Sequence, residues 1–247
     1  MDGESHLPDL GRRRASGFAV RGATRNVGGR EVMAATAQAS RTSITLKGST
    51  KIVTEFFGYS INSILYQRGI YPPESFSASE KYGLRMLVTT DAGLVEYLDQ
   101  VLTQLSEWLM TGHVQCLVLV ISSQLDGATL ERWVFDIVTE MPGEGGDGDK
   151  RSSSSVPKSE KEIMREIQAI MRQITSSVTF LPLLDVPCSF DLLIHTDLDT
   201  QVPKSWEESD PKYISNSAEV KLRSFTTKIH RVDAMVSYKN PDAEPDD

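Results

Sequence analysis

The chain has 247 residues and a formal charge of −8 at neutral pH, because 34 aspartate and glutamate residues outnumber 26 lysine and arginine residues. That length suits one domain with tails as well as two domains. The acidic balance argues against a dedicated nucleic-acid binder, which would usually present net basic charge. The longest uninterrupted apolar run, residues 117 to 121, is too short to span a bilayer. Neither nucleic acid nor a membrane is therefore expected as a partner.

The first 43 residues are rich in Gly, Arg, Ala and Ser and have almost no periodic apolar pattern. This composition predicts a disordered N-terminal arm over residues 1–43, ahead of a folded domain over residues 44–247. Three arginines at positions 12 to 14 stand two residues before Ser16. They fit a basophilic kinase site or a nuclear signal as well as a simple solvated arm.

Residues 141–158 form a second region without a periodic pattern, made of glycine, serine and charged residues. They are predicted to be an exposed flexible loop. Gly143, Gly145 and Gly148 satisfy the GxGxxG pattern of dinucleotide-binding loops. A polar serine run follows them, however, where phosphate binding needs the N-terminus of a helix.

Two apolar stripes in the first half of the chain predict helices. The first covers residues 50 to 67, with Ser49 as its N-cap. The second follows the N-cap residue Asp91 and ends at Gly112, a residue type that commonly terminates helices. Both stripes are typical of helices that cover a core.

The strongest helix signal begins at Ser159, which forms a capping box with Glu162. Six apolar residues then lie in one stripe at about 100° per residue. The members of this stripe are Ile163, Ile167, Ile170, Met171, Ile174 and Val178. Arg172 lies opposite the stripe and Gln173 lies on its flank, so these two side chains are predicted to face solvent or a partner.

Strand patterns flank this helix. The apolar run at 117 to 121 and the alternating run at 130 to 138 are separated by Asp126-Gly127, a strong hairpin turn, so they should pair antiparallel. After the helix, CSFDLLIHT at 188 to 196 alternates apolar and polar residues as a strand does. The C-terminal residues 220 to 238 predict two half-polar strands whose pairing register is weakly specified.

No arrangement of residues typical of catalysis or metal binding occurs, so neither a metal nor a cofactor is predicted. Asp191 and His195 share one face of the CSFDLLIHT strand, where an exposed or satisfied pair is a better interpretation than an acid-base dyad. Trp206 is isolated in a polar stretch and is expected to pack against another element, because exposure of so large a ring forfeits apolar burial. The residues alone therefore indicate an α+β interaction domain with a labile C-terminal segment.

Five segments resemble the HORMA-domain spindle assembly checkpoint proteins, and together they span essentially all of residues 44 to 240. These segments are ITLKGSTKIVTEFFGYSINSILYQRGIYPPESF, LERWVFDI, IMRQITSSVTFLPLLDVPCSFDLLIHT, VPKSWEESDP and LRSFTTKIHRVDAMVSYK. The phrases EIMREIQAIMRQI and VSYKN look like those of plant or green-alga members. The N-terminal arm and the long loop at 141–158 depart from the family pattern.

The resemblance implies an α+β HORMA domain with three helices packed on an antiparallel β-sheet and a mobile C-terminal safety belt at residues 198–242. In such domains the belt occupies one sheet edge in an open state and another edge in a closed state. In the closed state an extended peptide of a partner pairs with the freed edge of the CSFDLLIHT strand, and the belt wraps over it.

The resemblance also implies roles for single residues. Leu46 matches a position that biases the balance between open and closed states. Arg172, Gln173 and Phe180 match the surface for self-association and for an adaptor, and Trp133 and Trp206 are expected to anchor the belt. The predicted peptide-binding residues are Cys188, Ser189, Phe190, Asp191, Leu192, Leu193, Ile194, His195 and Trp206.

The function implied is a non-enzymatic spindle checkpoint effector that traps a peptide of the anaphase-promoting-complex activator under its belt and delays anaphase. Expected partners are a kinetochore coiled-coil checkpoint protein, that activator, a checkpoint kinase-like complex subunit, an AAA+ remodelling ATPase with a HORMA adaptor, and a second copy in an open-closed homodimer. Expected locations are the nucleus, the kinetochore and the cytoplasm. Two alternatives stay open, namely a HORMA adaptor of a translesion DNA polymerase and an enzyme that uses Asp191 with His195 or the Gly143 loop.

Overall fold

The computed structural model describes residues 17–21, 44–140 and 158–240. Within them, three α-helices pack on one face of a seven-stranded sheet. The helices are α1 Leu46–Gln67, α2 Ala92–Thr111 and α3 Glu160–Ser176. The strands are β1 Gly17–Arg21, β2 Phe76–Lys81, β3 Leu84–Thr89, β4 Val114–Ser123, β5 Thr129–Thr139, β6 Cys188–Thr196, β7 Glu207–Glu208, β8 Ser217–Thr226 and β9 His230–Lys239.

The described strands of the large sheet follow the order β7-β1-β6-β4-β5-β9-β8, and β2 and β3 form a separate hairpin. All pairs in both sheets are antiparallel except those of β1, which runs parallel to β6 and to β7. The predicted fold class of three helices on an antiparallel sheet is confirmed. The two parallel pairs were not predicted, because they involve a strand from the N-terminal arm.

Helix α1 is the central element of the core. Phe56 and Phe57 are fully buried, and Gly58 lets α2 approach, since an added Cβ there would lie 3.2 Å from the Leu102 side chain. The predicted N-cap was wrong by one turn, because Thr45 caps the helix by accepting a hydrogen bond from the amide of Gly48 at 3.1 Å. Ser49 is instead buried and bonds to the C-terminal segment.

Helix α3 begins as predicted, with both hydrogen bonds of the Ser159 and Glu162 capping box in place. Five of the six residues of its predicted stripe are fully buried, but Val178 is 42% exposed. The α-helix ends at Ser176, and a 3₁₀ turn over Ser177–Thr179 changes the rotation per residue. Val178 therefore leaves the buried face.

The Asp126-Gly127 hairpin is confirmed, because β4 and β5 pair antiparallel and Gly127 has the left-handed φ of 73° that the turn requires. The side of the sheet opposite the helices, called the helix-free face below, buries a smaller cluster of residues. This cluster consists of Val118, Val120, Val134 and Leu193. Strand β6 therefore has one side chain row in the main core and another on the helix-free face.

Several sequence predictions fall outside the described residues. These are the predicted loop at 141–158 with its GxGxxG pattern, except for its last residue, and the predicted disordered arm except for β1. Residues 17–21 depart from that prediction, since they form a strand whose backbone groups pair with two neighbouring strands. No helix of the described ranges is long and apolar enough to cross a membrane.

Candidate peptide-binding edge

The outer edge of β6 is occupied by the short strand β1. The pairs run from Gly17 beside Leu192 to Arg21 beside Thr196. On its other side β1 pairs with β7, where Phe18 lies beside Glu207. The C-terminal segment therefore passes over a strand that is itself bonded to β6. This is the closed arrangement that the resemblance implies for a bound peptide.

The residues predicted to bind peptide divide by face. Phe190, Leu192 and Ile194 point into the main core, whereas Leu193 belongs to the cluster on the helix-free face. Because these apolar side chains are already buried, β6 offers an added strand its backbone groups rather than its side chains. Backbone pairing with β1 covers residues 192 to 196, and the predicted residues Cys188, Ser189, Phe190 and Asp191 precede that stretch.

The belt leaves the sheet at Asp197, where three contacts hold it to the start of β4. The amide of Asp197 donates to the carbonyl of His113 at 3.1 Å, and Gln115 Nε2 donates to Asp197 Oδ1 at 2.8 Å. His113 Nδ1 lies 3.5 Å from Asp197 Oδ2. Since β4 is a central strand, these bonds fix the point at which the belt departs.

Trp206 anchors the belt on the helical side of the molecule. Its ring meets that of Trp108 at the end of α2 in an edge-to-face contact, with centroids 5.2 Å apart. Trp133, the other predicted anchor, is fully buried in β5 and donates to Glu131 Oε2 at 3.1 Å. It pairs with Val236 of β9, the last strand of the predicted belt, so its role in anchoring the belt stays a prediction.

After β7 the belt crosses to the helix-free face. The ring of Tyr213 lies 4.7 Å from the guanidinium carbon of Arg132, a β5 residue that is only 8% exposed. A cavity of about 360 Å³ beneath Tyr213 is lined in part by Cys116 and His195. Trp206 and Tyr213 therefore hold the belt from opposite faces of the sheet, on either side of β7.

The belt ends as the hairpin β8–β9, which is paired to β5. The β5–β9 ladder runs without interruption from Glu131 beside Tyr238 to Thr139 beside His230. Phe225 of β8 is 1% exposed, and its ring lies 4.9 Å from that of Phe56 in α1. The hairpin thus completes the main core in this state.

Two side chains of α3 bond the backbone of β8. Gln173 Oε1 accepts from the amide of Arg223 at 2.7 Å, and Glu166 Oε2 accepts from the amide of Thr226 at 3.3 Å. The register of β8 against β9 shifts between Lys221 and Ser224, so Arg223 lies where the regular ladder is interrupted. The predicted surface residue Gln173 is therefore half-buried and already bonded within the molecule.

The other residues of the predicted self-association surface are accessible. Arg172 is exposed, and Phe180 is 41% exposed just after the 3₁₀ turn that follows α3. Leu46, the predicted residue of conformer balance, is the first residue of α1 and is 36% exposed. These three side chains are available to a partner in this state.

A buried polar network joins α1 to the β8–β9 turn. Ser49 Oγ lies 2.5 Å from Thr227 Oγ1 and 2.6 Å from His230 Nδ1. Burial lowers the pKa of His230 below its ordinary value, because the charged imidazolium loses hydration there. The neutral form of His230 is therefore the one that fits this site.

Asp191 and His195 do not have the geometry of an acid-base dyad. Four residues of extended strand separate their Cα atoms by roughly 13 Å, which is too far for the two side chains to bond directly. The pKa of His195 is lowered, first by burial and then by the positive charge of Arg132. Its imidazole is therefore a poor proton acceptor at neutral pH.

The HORMA domain family model matches residues 49–230, which is most of the chain. This chain belongs to the HORMA-domain family. The HORMA match begins in the first turns of α1 and ends at the first residue of β9. It therefore includes β6, the belt up to its last hairpin, and the helices that hold them.

The proteins similar to this chain include several spindle checkpoint proteins. The mitotic spindle assembly checkpoint protein MAD2A of Dictyostelium discoideum is 63% identical over 82% of this chain and 97% of that protein. The human protein of the same name is 57% identical over 80% of this chain and 94% of its own. A chain in a crystal structure of the mitotic checkpoint complex is 41% identical with a TM-score of 0.70, covering 78% of this chain and 99% of that one.

One more distant relative bears on the alternative function. The DNA polymerase zeta processivity subunit of Schizosaccharomyces pombe is 27% identical over 76% of this chain and 89% of that protein. This identity is less than half of that to the MAD2A relatives. The checkpoint branch of the HORMA family is therefore the nearer one.

Sequence reasoning missed the contacts that hold the belt in place. Each of these contacts joins a belt residue to a residue outside the belt. The residues involved include Trp108, Tyr213, Arg132, Glu166, Ser49 and Thr227. Trp108 was predicted only as a core residue of the α2 stripe. Its local sequence does not distinguish it from the other residues of that stripe.

Proposed function

We infer that this HORMA-domain protein is a spindle checkpoint effector that holds an extended peptide between β6 and its safety belt. The peptide would belong to the activator of the anaphase-promoting complex, and its capture would delay anaphase. The role is one of binding and requires no catalysis. The belt would move between two sheet edges, and the arrangement described here would correspond to the closed state.

The observation that supports this proposal most is the position of β1 between β6 and β7. A segment that is not part of the belt lies where a peptide ligand should lie, and the belt passes over it. Backbone hydrogen bonds along such an added strand supply affinity with little dependence on sequence. Selectivity must then come from the elements around the strand, among them the Trp206 and Tyr213 contacts.

The partners would act on different states of the belt. A kinetochore coiled-coil checkpoint protein, holding a closed copy, would recruit an open copy through a homodimer contact that includes Arg172. A checkpoint kinase-like complex subunit would join the closed, activator-bound form. An AAA+ remodelling ATPase with a HORMA adaptor would reopen it. The protein would work at the kinetochore, in the nucleus and in the cytoplasm.

The alternative, an adaptor of a translesion DNA polymerase, rests on the more distant relative. Its proposed mechanism is the same, since a polymerase peptide would also lie beneath the belt. The two functions differ only in which peptide the edge selects, so a binding experiment separates them.

The test uses the full chain and fluorescent synthetic peptides from the anaphase activator and from the polymerase catalytic subunit, with binding followed by anisotropy. The activator peptide should bind tightly and the polymerase peptide weakly. Trp206→Ala should weaken the binding, whereas Leu183→Ala, at a side chain that is 90% exposed, should not. Selective binding of the polymerase peptide would support the alternative, and binding of neither peptide would refute both.

A further inference from the structure

The strand that lies beneath the belt comes from the same chain. Ala19 is paired with Ile194 of β6 on one side and with Glu208 of β7 on the other. Five consecutive residues keep the parallel register with β6 without a shift. The binding edge is therefore filled, in this state, by residues 17–21 of the arm that precedes the HORMA domain.

We propose that residues 17–21 are a built-in ligand of the safety belt. The arm occupies the β6 edge in cis, so a partner peptide must displace it before it can be captured. The closed state is thereby available without a partner, yet its binding edge is blocked. This inference concerns what fills the edge beforehand and does not depend on which partner later binds there.

The connection between β1 and α1 makes such a cis contact favourable. The 24 residues from 22 to 45 join the two elements. A chain of that length can span at most roughly 80 Å, which is more than the diameter of a small domain. A tethered ligand of this kind acts at an effective concentration on the order of millimolar. Even a weak segment therefore competes with a partner at cellular concentration.

The charges of the two segments also favour the contact. Strand β7 consists of two exposed glutamates, Glu207 and Glu208, and Asp210 follows them. The arm carries four arginines within the ten residues from 12 to 21. Opposite charges attract one another when they come within about 8 Å at physiological salt. The acidic stretch at 207–210 is thus suited to a basic arm.

The first test needs no partner and no variant. Hydrogen exchange of the full chain, followed by mass spectrometry, should show slow exchange for amides at 17–21 and fast exchange for the residues on either side. The protection should be independent of protein concentration. Exchange at 17–21 as fast as in the rest of the arm would overturn the proposal. Protection that grows with concentration would show a contact between two copies and would overturn the cis assignment.

The second test measures competition with a fluorescein-labelled peptide of residues 14–24. At equilibrium, Ala19→Pro should lower the apparent Kd of the full chain for this probe on the order of tenfold or more, because proline removes an amide from the middle of β1 and frees the edge. Ala35→Pro, the same change in the connecting segment, should match the wild type. Equal affinities of the wild type and Ala19→Pro would mean that the arm does not fill the edge.

These results are distinguishable from a failure of the proposed function. If the anaphase activator peptide binds none of the proteins but the exchange and probe results hold, the partner assignment fails and the built-in ligand stands. If the activator peptide binds wild type and Ala19→Pro equally tightly, and 17–21 exchanges fast, the built-in ligand fails and the function stands.

Discussion

The indole ring of Trp206 stands edge-on to that of Trp108, with centroids 5.2 Å apart, and joins the belt to the end of α2. We expect Trp206→Ala to speed dissociation of a captured peptide roughly 10- to 100-fold. The lost burial and ring contact are worth about 1.4–3 kcal/mol, and the belt needs both to stay closed. Trp206→Phe should speed dissociation much less, since it keeps a ring at the contact. Stopped-flow dissociation of a labelled peptide measures both, and an unchanged rate in Trp206→Ala would contradict the anchoring role.

Tyr213 should contribute through its ring and not through its hydroxyl. The ring covers the guanidinium of Arg132, a cation–π contact worth about 0.5–1 kcal/mol at an exposed site. Tyr213→Ala should therefore speed peptide release by roughly two- to fivefold, and Tyr213→Phe should have the wild-type rate. If Tyr213→Phe releases peptide as fast as Tyr213→Ala does, the hydroxyl and not the cation–π contact holds this part of the belt.

Gln173 should stabilise the closed belt, because its amide oxygen accepts the hydrogen bond of the Arg223 amide at the irregular part of β8. Gln173→Ala should lower the free energy of unfolding of the closed state by about 1 kcal/mol. Gln173→Glu keeps an acceptor oxygen, so its free energy of unfolding should fall by less. Urea unfolding measures the change, and hydrogen exchange at 217–226 shows whether it acts on β8. An effect spread evenly over the molecule would contradict this role.

Arg172, the neighbour of Gln173, should act on association and not on stability. Its side chain is exposed on α3, so Arg172→Glu should remove self-association while leaving unfolding and peptide capture near wild type. Analytical ultracentrifugation and peptide anisotropy on the same samples check the two parts. A variant that loses peptide capture or unfolds would show that Arg172 belongs to the fold.

His230 should make the closed belt sensitive to mild acid. An unfolded chain binds a proton at His230 near pH 6.5, whereas the folded chain, in which burial lowers this pKa, binds it only at lower pH. The stability due to neutral His230 is thus fully present above about pH 6.5 and is lost as the pH falls from there toward the folded pKa. We expect the melting temperature to fall as the pH is lowered from about 7.5 to about 5.5.

The comparison with His230→Asn isolates this residue. Asparagine can still bond Ser49 but does not titrate, so the fall in melting temperature should be smaller in the variant. Asp136, whose pKa is raised by burial and by Asp233, instead adds stability as the pH falls, and it does so in both proteins. Identical pH profiles for the wild type and His230→Asn would show that other groups cause the dependence.

The parts of the fold that depend on local sequence could be predicted. The Ser159 capping box, the Asp91 cap, the Gly112 terminus and the Asp126-Gly127 turn each need residues only three or four positions apart, and all four are in place. The alternation of CSFDLLIHT likewise predicted β6, since a strand with one face in the core needs it. Each of these signals lies within one segment.

The contacts that close the belt could not be predicted, because each joins segments far apart in the sequence. Trp206 is 98 positions from Trp108, and Ser49 is 181 positions from His230. The composition of the arm likewise predicts disorder for residues 17–21, since nothing local indicates that an unpaired strand edge elsewhere will bond them. The family resemblance supplied the expected belt, but it did not indicate that Trp206 would meet the ring of Trp108.

The unbroken β5–β9 ladder has a consequence for how the protein is reset. Nine consecutive residue pairs hold β9 to β5, and Phe225 must leave the core when the hairpin departs. These pairs must break before the hairpin can leave β5, so we expect spontaneous reopening to have a high activation barrier. Under the proposed function such a molecule would act as a ratchet, in which returning to the start needs external mechanical work. The duration of a signal that it carries would then depend on how quickly a motor unwinds it.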